Sequence, residues 1–140
     1  MQRFFCTLAL CSLVFVVGCG GNVVITGTAA TADGTPITQG TVTFTNAQGQ
    51  FSGDIQPNGT FRPGRMRDGD GIPPGHYQVF VTGVVREVPG TPDLDPEDPR
   101  FRYATFVTIV HPRYSDPATS GLSIDTAQTK TLNLVLDPAE

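Results

Sequence analysis

Thr41-Val42-Thr43-Phe44-Thr45 is the stretch of this sequence that decides its fold. Apolar and polar residues alternate strictly along it, which is the pattern of a strand with one buried face. The pattern predicts that Val42 and Phe44 point into a core and that the threonines face solvent. Asn46 to Gly49 follow and predict a turn, since Asn and Gly are typical turn residues. A half-buried strand that ends in a tight turn indicates a sheet protein.

Similar patterns recur on both sides of this stretch. Asn58-Gly59, between two strand-like runs, is a strong hairpin signal. The longest β run extends from His76 to Val88, with Tyr77, Val79 and Val81 on one face. No window of eleven or more residues has helical periodicity. The chain is therefore predicted to be all-β, with seven or eight short strands arranged as a β-sandwich.

A single domain over residues 23–137 accommodates these strands. Residues 89–102 are rich in proline and acidic side chains, and we expect them to form an exposed insertion. Leu132, Leu134 and Leu136 are predicted to face inward from the last strand. The other predicted strands are 23–28, 50–56, 60–66, 103–110, 122–127 and 131–136, the last two paired as a hairpin.

The N-terminal segment predicts export and lipid attachment. Arg3 gives a short positive region, and about fourteen apolar or small residues follow, as in a signal peptide. A membrane-spanning helix needs about 20 residues, so this run is too short to be one. Val16-Val17-Gly18-Cys19 then resembles the bacterial lipobox. We therefore predict removal of residues 1–18 by cleavage after Gly18, and lipidation of Cys19.

Cysteine usage supports this prediction. Cys6 and Cys11 fall within the segment to be removed, so Cys19 is the one cysteine that remains. A free thiol on an exported domain is prone to oxidation, whereas a lipidated sulfur is not. The lack of a second cysteine excludes a disulfide framework. The acyl chains of a lipidated Cys19 would hold the protein at a bilayer.

The predicted location follows from the residues next to Cys19. Gly20 stands where many bacterial lipoproteins retained in the inner membrane have Asp. We therefore expect the outer membrane, on its periplasmic face, or the cell surface. Residues 19–22 would be a short tether. The formal net charge of −4 becomes −5 once Arg3 is removed, and the pI is about 5.0, which argues against a nucleic-acid partner.

The order of motifs resembles the carboxypeptidase regulatory-like family. Thr28 to Phe44 is similar to its opening strand, Asp-Gly-x-Pro turn and Gly-x-Val-x-Phe strand. Asn58-Gly59-Thr60-Phe61 and Ile72 to Val79 (I-P-P-G-H-Y-Q-V) resemble two later motifs, and Pro112 to Leu122 resembles a segment of small lipoproteins built on this domain. The resemblance implies a transthyretin-like, seven-stranded sandwich with Greek-key connections. Since fold does not settle function, it implies no particular activity.

No group of residues predicts catalysis. His76 and His111 are separated by a loop and a strand, and no serine lies in a Gly-x-Ser-x-Gly elbow. The carboxylates of Asp68 and Asp70 lack the spacing of an EF-hand, since no Glu stands at its twelfth position. We predict no enzyme activity, no catalytic residue, no metal site and no cofactor.

Two functions remain open at this level. The first is a non-enzymatic, lipid-anchored envelope module that is structural or binds an envelope protein. The alternative is a small carbohydrate-binding lipoprotein, for which Tyr103 and Tyr114 are the candidate ligand contacts. Each tyrosine could equally be a core or corner residue. The partners expected are therefore the bilayer, through Cys19, and either a protein or a glycan of the envelope.

Overall fold

The computed structural model of the protein describes residues 21–140. The predicted signal peptide, its cleavage position Gly18 and the lipidation position Cys19 lie outside the described residues. Nine strands and one 3-10 helix, Pro112–Ser115, occur within the described residues. The strands are β1 Thr26–Thr31, β2 Thr41–Asn46, β3 Gly49–Asp54, β4 Thr60–Phe61, β5 His76–Thr82, β6 Val85–Val88, β7 Thr105–Thr108, β8 Leu122–Asp125 and β9 Thr131–Leu136.

Seven of these strands form two sheets that enclose one core. One sheet has the order β4-β1-β9, with β1 and β9 parallel, and the other has the antiparallel order β3-β2-β5-β8. Phe44 in the second sheet and Phe61 in the first are both buried, and their ring centroids lie 6.4 Å apart. The predicted all-β sandwich is confirmed. The remaining two strands, β6 and β7, pair only with each other.

Strand alternation accounts for the core. Val42 and Phe44 are completely buried, as their alternation with threonine predicts. Tyr77, Val79 and Val81 line the inner face of β5 in the same way. On β9, Leu134 and Leu136 are buried and Leu132 packs against the core from a partly buried position. The hydrophobic pattern thus determines which face of each strand points inward.

The pairing partners of several strands differ from expectation. Asn58-Gly59 does form a tight turn, in which the Gly59 amide donates to the Gln56 carbonyl at 2.8 Å. The flanking strands nevertheless belong to different sheets, because β4 pairs with β1 and β3 pairs with β2. This crossing buries Phe61 against Phe44 from the opposite layer. The predicted C-terminal hairpin is wrong for the same reason, since β8 pairs with β5 and β9 with β1.

Several strand boundaries also differ. The strands β3, β7 and β8 each end two residues earlier than predicted, and β7 also begins two residues later. The long run from His76 is divided at Gly83, whose φ of 69° is incompatible with a continuous strand. The first strand begins at Thr26, and Val23 makes only an isolated bridge to Ile72. β4 ends at Phe61, after which the chain follows the side of the sandwich and bridges to Ser52 through Gly64.

Candidate docking surface

The β6–β7 ribbon is the most exposed regular structure among the described residues. Its register places Glu87 opposite Phe106 on one face of the ribbon and Arg86 opposite Val107 on the other. Each face therefore carries one charged and one apolar side chain at these positions. All four residues of β7 are exposed. Phe106 keeps 66% of its surface accessible, which is unusual for a phenylalanine in a strand.

The insertion predicted at residues 89–102 lies at the tip of this ribbon. Its base is closed by two hydrogen bonds: the Thr91 amide donates to the Arg102 carbonyl at 2.8 Å, and the Arg102 amide donates to the Thr91 hydroxyl at 2.7 Å. Within it, Arg100 forms a 2.9 Å ion pair with Asp98 and holds the pKa of that carboxyl below its usual range. The insertion is therefore an ordered loop attached to the ribbon.

An apolar cleft of about 350 Å³ lies where the insertion meets the ribbon. Tyr103 lines it, with 75% of its surface accessible. The Phe101 and Tyr103 rings meet edge to face, with centroids 4.8 Å apart at 89°. This is a favoured aromatic geometry and holds both rings in place. The lining residues are Glu87, Pro89, Gly90, Pro92, Phe101, Arg102, Tyr103 and Ala104.

The ribbon and insertion that carry this cleft have a net negative charge. The ribbon and its insertion, residues 85–104, carry three arginines and five carboxylates, a local net charge of −2. One of the arginines, Arg100, is paired with Asp98 inside the insertion. An apolar cleft on a negatively charged segment would favour a partner that combines apolar and basic groups. The carboxylates are Glu87, Asp93, Asp95, Glu97 and Asp98.

The ribbon and the N-terminal residues occupy opposite ends of the sandwich. At one end, Val23 and Ile72 exchange backbone hydrogen bonds of 2.7 and 2.9 Å, close to the start of β5. β5 then crosses the sandwich and ends at Thr82, and the ribbon leaves the body just beyond, through Val84. Seven residues of β5 span about 20 Å. We call these ends the N-terminal pole and the ribbon pole.

The two tyrosines singled out in the sequence have different environments. Tyr103 lies in the wall of the cleft and is available to a ligand. Tyr114 is only 2% exposed, so its ring cannot provide a surface for a ligand. Its hydroxyl donates to the Asp137 carboxylate at 3.0 Å and accepts from the Asp137 amide at 3.2 Å. Tyr114 therefore fastens the 3-10 helix to the end of β9. It is a corner residue, which the sequence left open as an alternative to a ligand contact.

The histidines do not come together. His76 begins β5 and pairs with Asp125, at the N-terminal pole. The His111 amide donates to the Asp137 carbonyl at 2.9 Å, beyond the end of β9 at the ribbon pole. Its Nδ1 accepts from the Arg113 amide, and so is engaged within its own turn. Across residues 21–140, no three His, Cys, Asp or Glu side chains converge in a way that could hold a metal ion.

Sequence reasoning singled out Tyr103 but missed Phe106, Val107 and Phe101. Phe106 and Val107 are adjacent, so a strand that contains them must place one apolar side chain on each face. Such a pair is common in strands of a sheet that is buried on both faces. The sequence did contain a signal of their exposure. The apolar pair stands next to the insertion at residues 89–102, which is too polar to cover either face of the strand.

Comparisons with known proteins assign no family. No protein-family model matches the chain, and no curated protein matches it. Among solved structures, the major pilin subunit of Bacillus cereus is similar over 86% of this chain, with 17% identity and a TM-score of 0.48. The chain spans about 30% of the length of that pilin. In residues 21–140 no helix is long and apolar enough to cross a membrane.

Proposed function

We propose that this protein is a lipid-anchored, non-enzymatic module of the bacterial cell envelope, built on a carboxypeptidase regulatory-like domain. It is tethered through Cys19 and binds an envelope partner at the ribbon pole. The observation that carries this proposal is the position of the exposed aromatic ribbon, at the end of the sandwich opposite the entry of the N-terminal residues. A tethered domain with that arrangement presents its apolar surface away from the bilayer.

The short tether supports this orientation. Val23 is hydrogen-bonded to Ile72, so only residues 20–22 lie between Cys19 and the body of the domain. Three residues reach at most about 11 Å. The domain has a radius of gyration near 13 Å by the usual size scaling, so it would rest on the bilayer. The N-terminal pole would be the surface that meets the lipid.

The side chains of that pole are compatible with contact to lipid headgroups. Two of its connections, residues 46–49 and 72–75, contain no charged residue. A third, residues 126–130, contains the cation Lys130 and directly follows the carboxylate Asp125, so residues 125–130 have no net charge. The carboxylates of the insertion lie at the opposite pole. Anionic headgroups would therefore meet little repulsion from the N-terminal pole and more from the ribbon pole.

The direct test of anchoring is replacement of the predicted lipid acceptor. Cys19→Ala should move the protein from the membrane fraction to the soluble fraction after cell lysis, because no acyl chain remains to hold it. The matched control is Cys11→Ala, which lies in the segment predicted to be removed and should leave the protein in the membrane fraction. A Cys19→Ala protein that stays with the membrane would contradict lipid attachment.

A second candidate function is carbohydrate binding, favoured by the accessible ring of Tyr103 beside Arg102 and Glu87. An exposed aromatic face with nearby charged groups can stack on a sugar ring and bond its hydroxyls. Glycan-array binding should then be lost in Tyr103→Ala and kept in Val135→Ala, which changes an exposed apolar residue on β9. Equal binding by both variants would exclude the ribbon as a sugar site.

A further inference from the structure

We propose that the free edge of β7 is a strand-addition site, which takes an extended, basic and apolar segment of another envelope protein. This inference rests on the proposed function in treating the ribbon pole as the interaction surface. It adds the mode of binding and the chemistry of the partner. The argument comes from the hydrogen-bonding edge of β7, from the exposed side chains around it and from their charge.

Backbone hydrogen bonds distinguish the two edges of β7. The segment Asp137–Ala139 runs antiparallel to Ile109–His111, with amide-to-carbonyl hydrogen bonds of 2.9 and 3.1 Å and a bridge from Val110 to Pro138. Ile109 also donates to the carbonyl of Val84, which precedes β6, so Thr105, Val107 and Ile109 direct their amides and carbonyls toward β6. The tail therefore follows β6 along the same edge. The amides and carbonyls of Phe106 and Thr108 point to the opposite edge, which is the free edge of β7.

No described segment pairs with this free edge. β7 pairs with β6 across Thr105–Thr108, and residues 21–140 supply no second partner. Natural proteins protect such edges with charged residues, proline or bulges. β7 has the sequence Thr-Phe-Val-Thr, in which every residue favours a strand and none blocks pairing. Its edge is therefore open to another strand.

A partner strand would bury exposed aromatic side chains that lie beside this edge. Phe106 and Tyr103 expose 66% and 75% of their surfaces, which amounts to roughly 280 Å² of aromatic surface at about 200 Å² for each residue. A ribbon of two strands is marginally stable on its own in water. A third strand would supply backbone hydrogen bonds to β7, and its alternate side chains could cover Phe106 and enter the cleft beside Tyr103.

The buried area and the charge favour a different chain over a second copy. Two ribbons meeting through these aromatics would bury roughly 560 Å², about a third of the total of roughly 1,600 Å² that a standard stable interface buries. Each copy would also bring its acidic insertion, with its local charge of −2, against the other. A segment that alternates apolar residues with Lys or Arg meets both the aromatic surface and the carboxylates.

The test uses a displayed library of random dodecapeptides, selected against the protein extracted in detergent. Enriched peptides should share a central run of alternating apolar and basic residues without proline. The best synthetic peptide should slow amide hydrogen exchange at Phe106 and Thr108 at least about tenfold, since strand addition hydrogen-bonds the backbone amides that face the free edge. Phe106→Ser should weaken its binding about tenfold or more, and the matched variant Val135→Ser should leave the binding unchanged.

Each other outcome overturns the proposal. An absence of enriched peptides, protection at another strand edge, or equal effects of Phe106→Ser and Val135→Ser would do so. Concentration-dependent dimers that Phe106→Ser abolishes would assign the edge to a second copy. Glycan binding without peptide binding would assign the cleft to sugar. Because these measurements use detergent-extracted protein, a negative result is independent of the Cys19→Ala fractionation that tests anchoring.

Discussion

Replacing Gly27 with alanine should destabilise the sandwich at a crowded point of its core. Gly27 lies on β1 directly opposite Phe61 on β4. A Cβ built at Gly27 would meet the Phe61 ring at 2.1, 2.5 and 2.6 Å. Carbon atoms pack at about 3.5–4.0 Å, so the ring must move by roughly 1.5 Å. The ring lies directly over the glycine, and that stacking leaves no room for a side chain.

The magnitude follows from the surroundings of that ring. Phe61 is only 1% exposed and its ring centroid is 6.4 Å from that of Phe44, so the ring cannot shift without disturbing the opposite sheet. Overpacking costs about 1–3 kcal/mol, and an approach of 2.1 Å to a ring that cannot move belongs at the upper end of that range. Alanine in a strand regains about 0.5–1 kcal/mol over glycine. We expect a net loss of about 2 kcal/mol in the free energy of unfolding, measured by urea denaturation followed by circular dichroism.

Two further variants separate the clash from other causes. Gly21→Ala is the matched control, because nothing lies within 4 Å of its added Cβ, and it should change the stability by less than about 0.5 kcal/mol. In a Phe61→Ala background, Gly27→Ala should be neutral or slightly stabilising, since the ring it collides with is gone. A loss of about 2 kcal/mol that persists in that background would refute the packing argument.

Two other predictions concern buried tyrosines. Burial raises the pKa of Tyr77 above its ordinary value of 10.0, so the neutral phenol is favoured in the folded state. The neutral Tyr77 phenol contributes its full stabilisation below about pH 10, and this contribution declines as the pH rises through the raised pKa. Phenylalanine does not titrate, so the free energy of unfolding should fall less for Tyr77→Phe than for the parent protein between about pH 9 and 11. Urea titrations at each pH measure this difference. Tyr114→Phe removes the hydroxyl that bonds Asp137 and should cost about 1–2 kcal/mol, measured by urea denaturation. The same variant should leave glycan and peptide binding unchanged, and a loss of binding would show that Tyr114 contributes to the ligand site.

The sequence predicts the inner face of each strand better than it predicts the strand's partner. The alternation of Val42 and Phe44 with threonine is local, and the structure confirms both as core residues. The partner of β4 depends instead on Phe61 covering Gly27 and meeting Phe44 across the core. These residues are far apart along the chain, so the Asn58-Gly59 turn alone could not indicate that the chain changes sheets.

The docking surface was only partly predictable for a similar reason. Tyr103 stood out because tyrosine is an uncommon residue in this chain and is suited to ligand contact. Phe106 and Val107 did not, because an apolar pair in a strand normally indicates burial. Their exposure results from Gly83, which diverts the chain from β5 into a ribbon outside both sheets. Nothing in the local pattern of residues 105–108 shows that no layer covers them.

The orientation of the anchored domain tests the central claim most directly. A fluorophore would be placed at Gln128→Cys, in the connection beside the N-terminal pole, or at Glu97→Cys, in the insertion at the ribbon pole. The protein, with its native N-terminal processing, would then be reconstituted in vesicles that contain spin-labelled lipid. The account predicts strong quenching at position 128 and little at position 97. Equal quenching, stronger quenching at 97, or no association with the vesicles would contradict it.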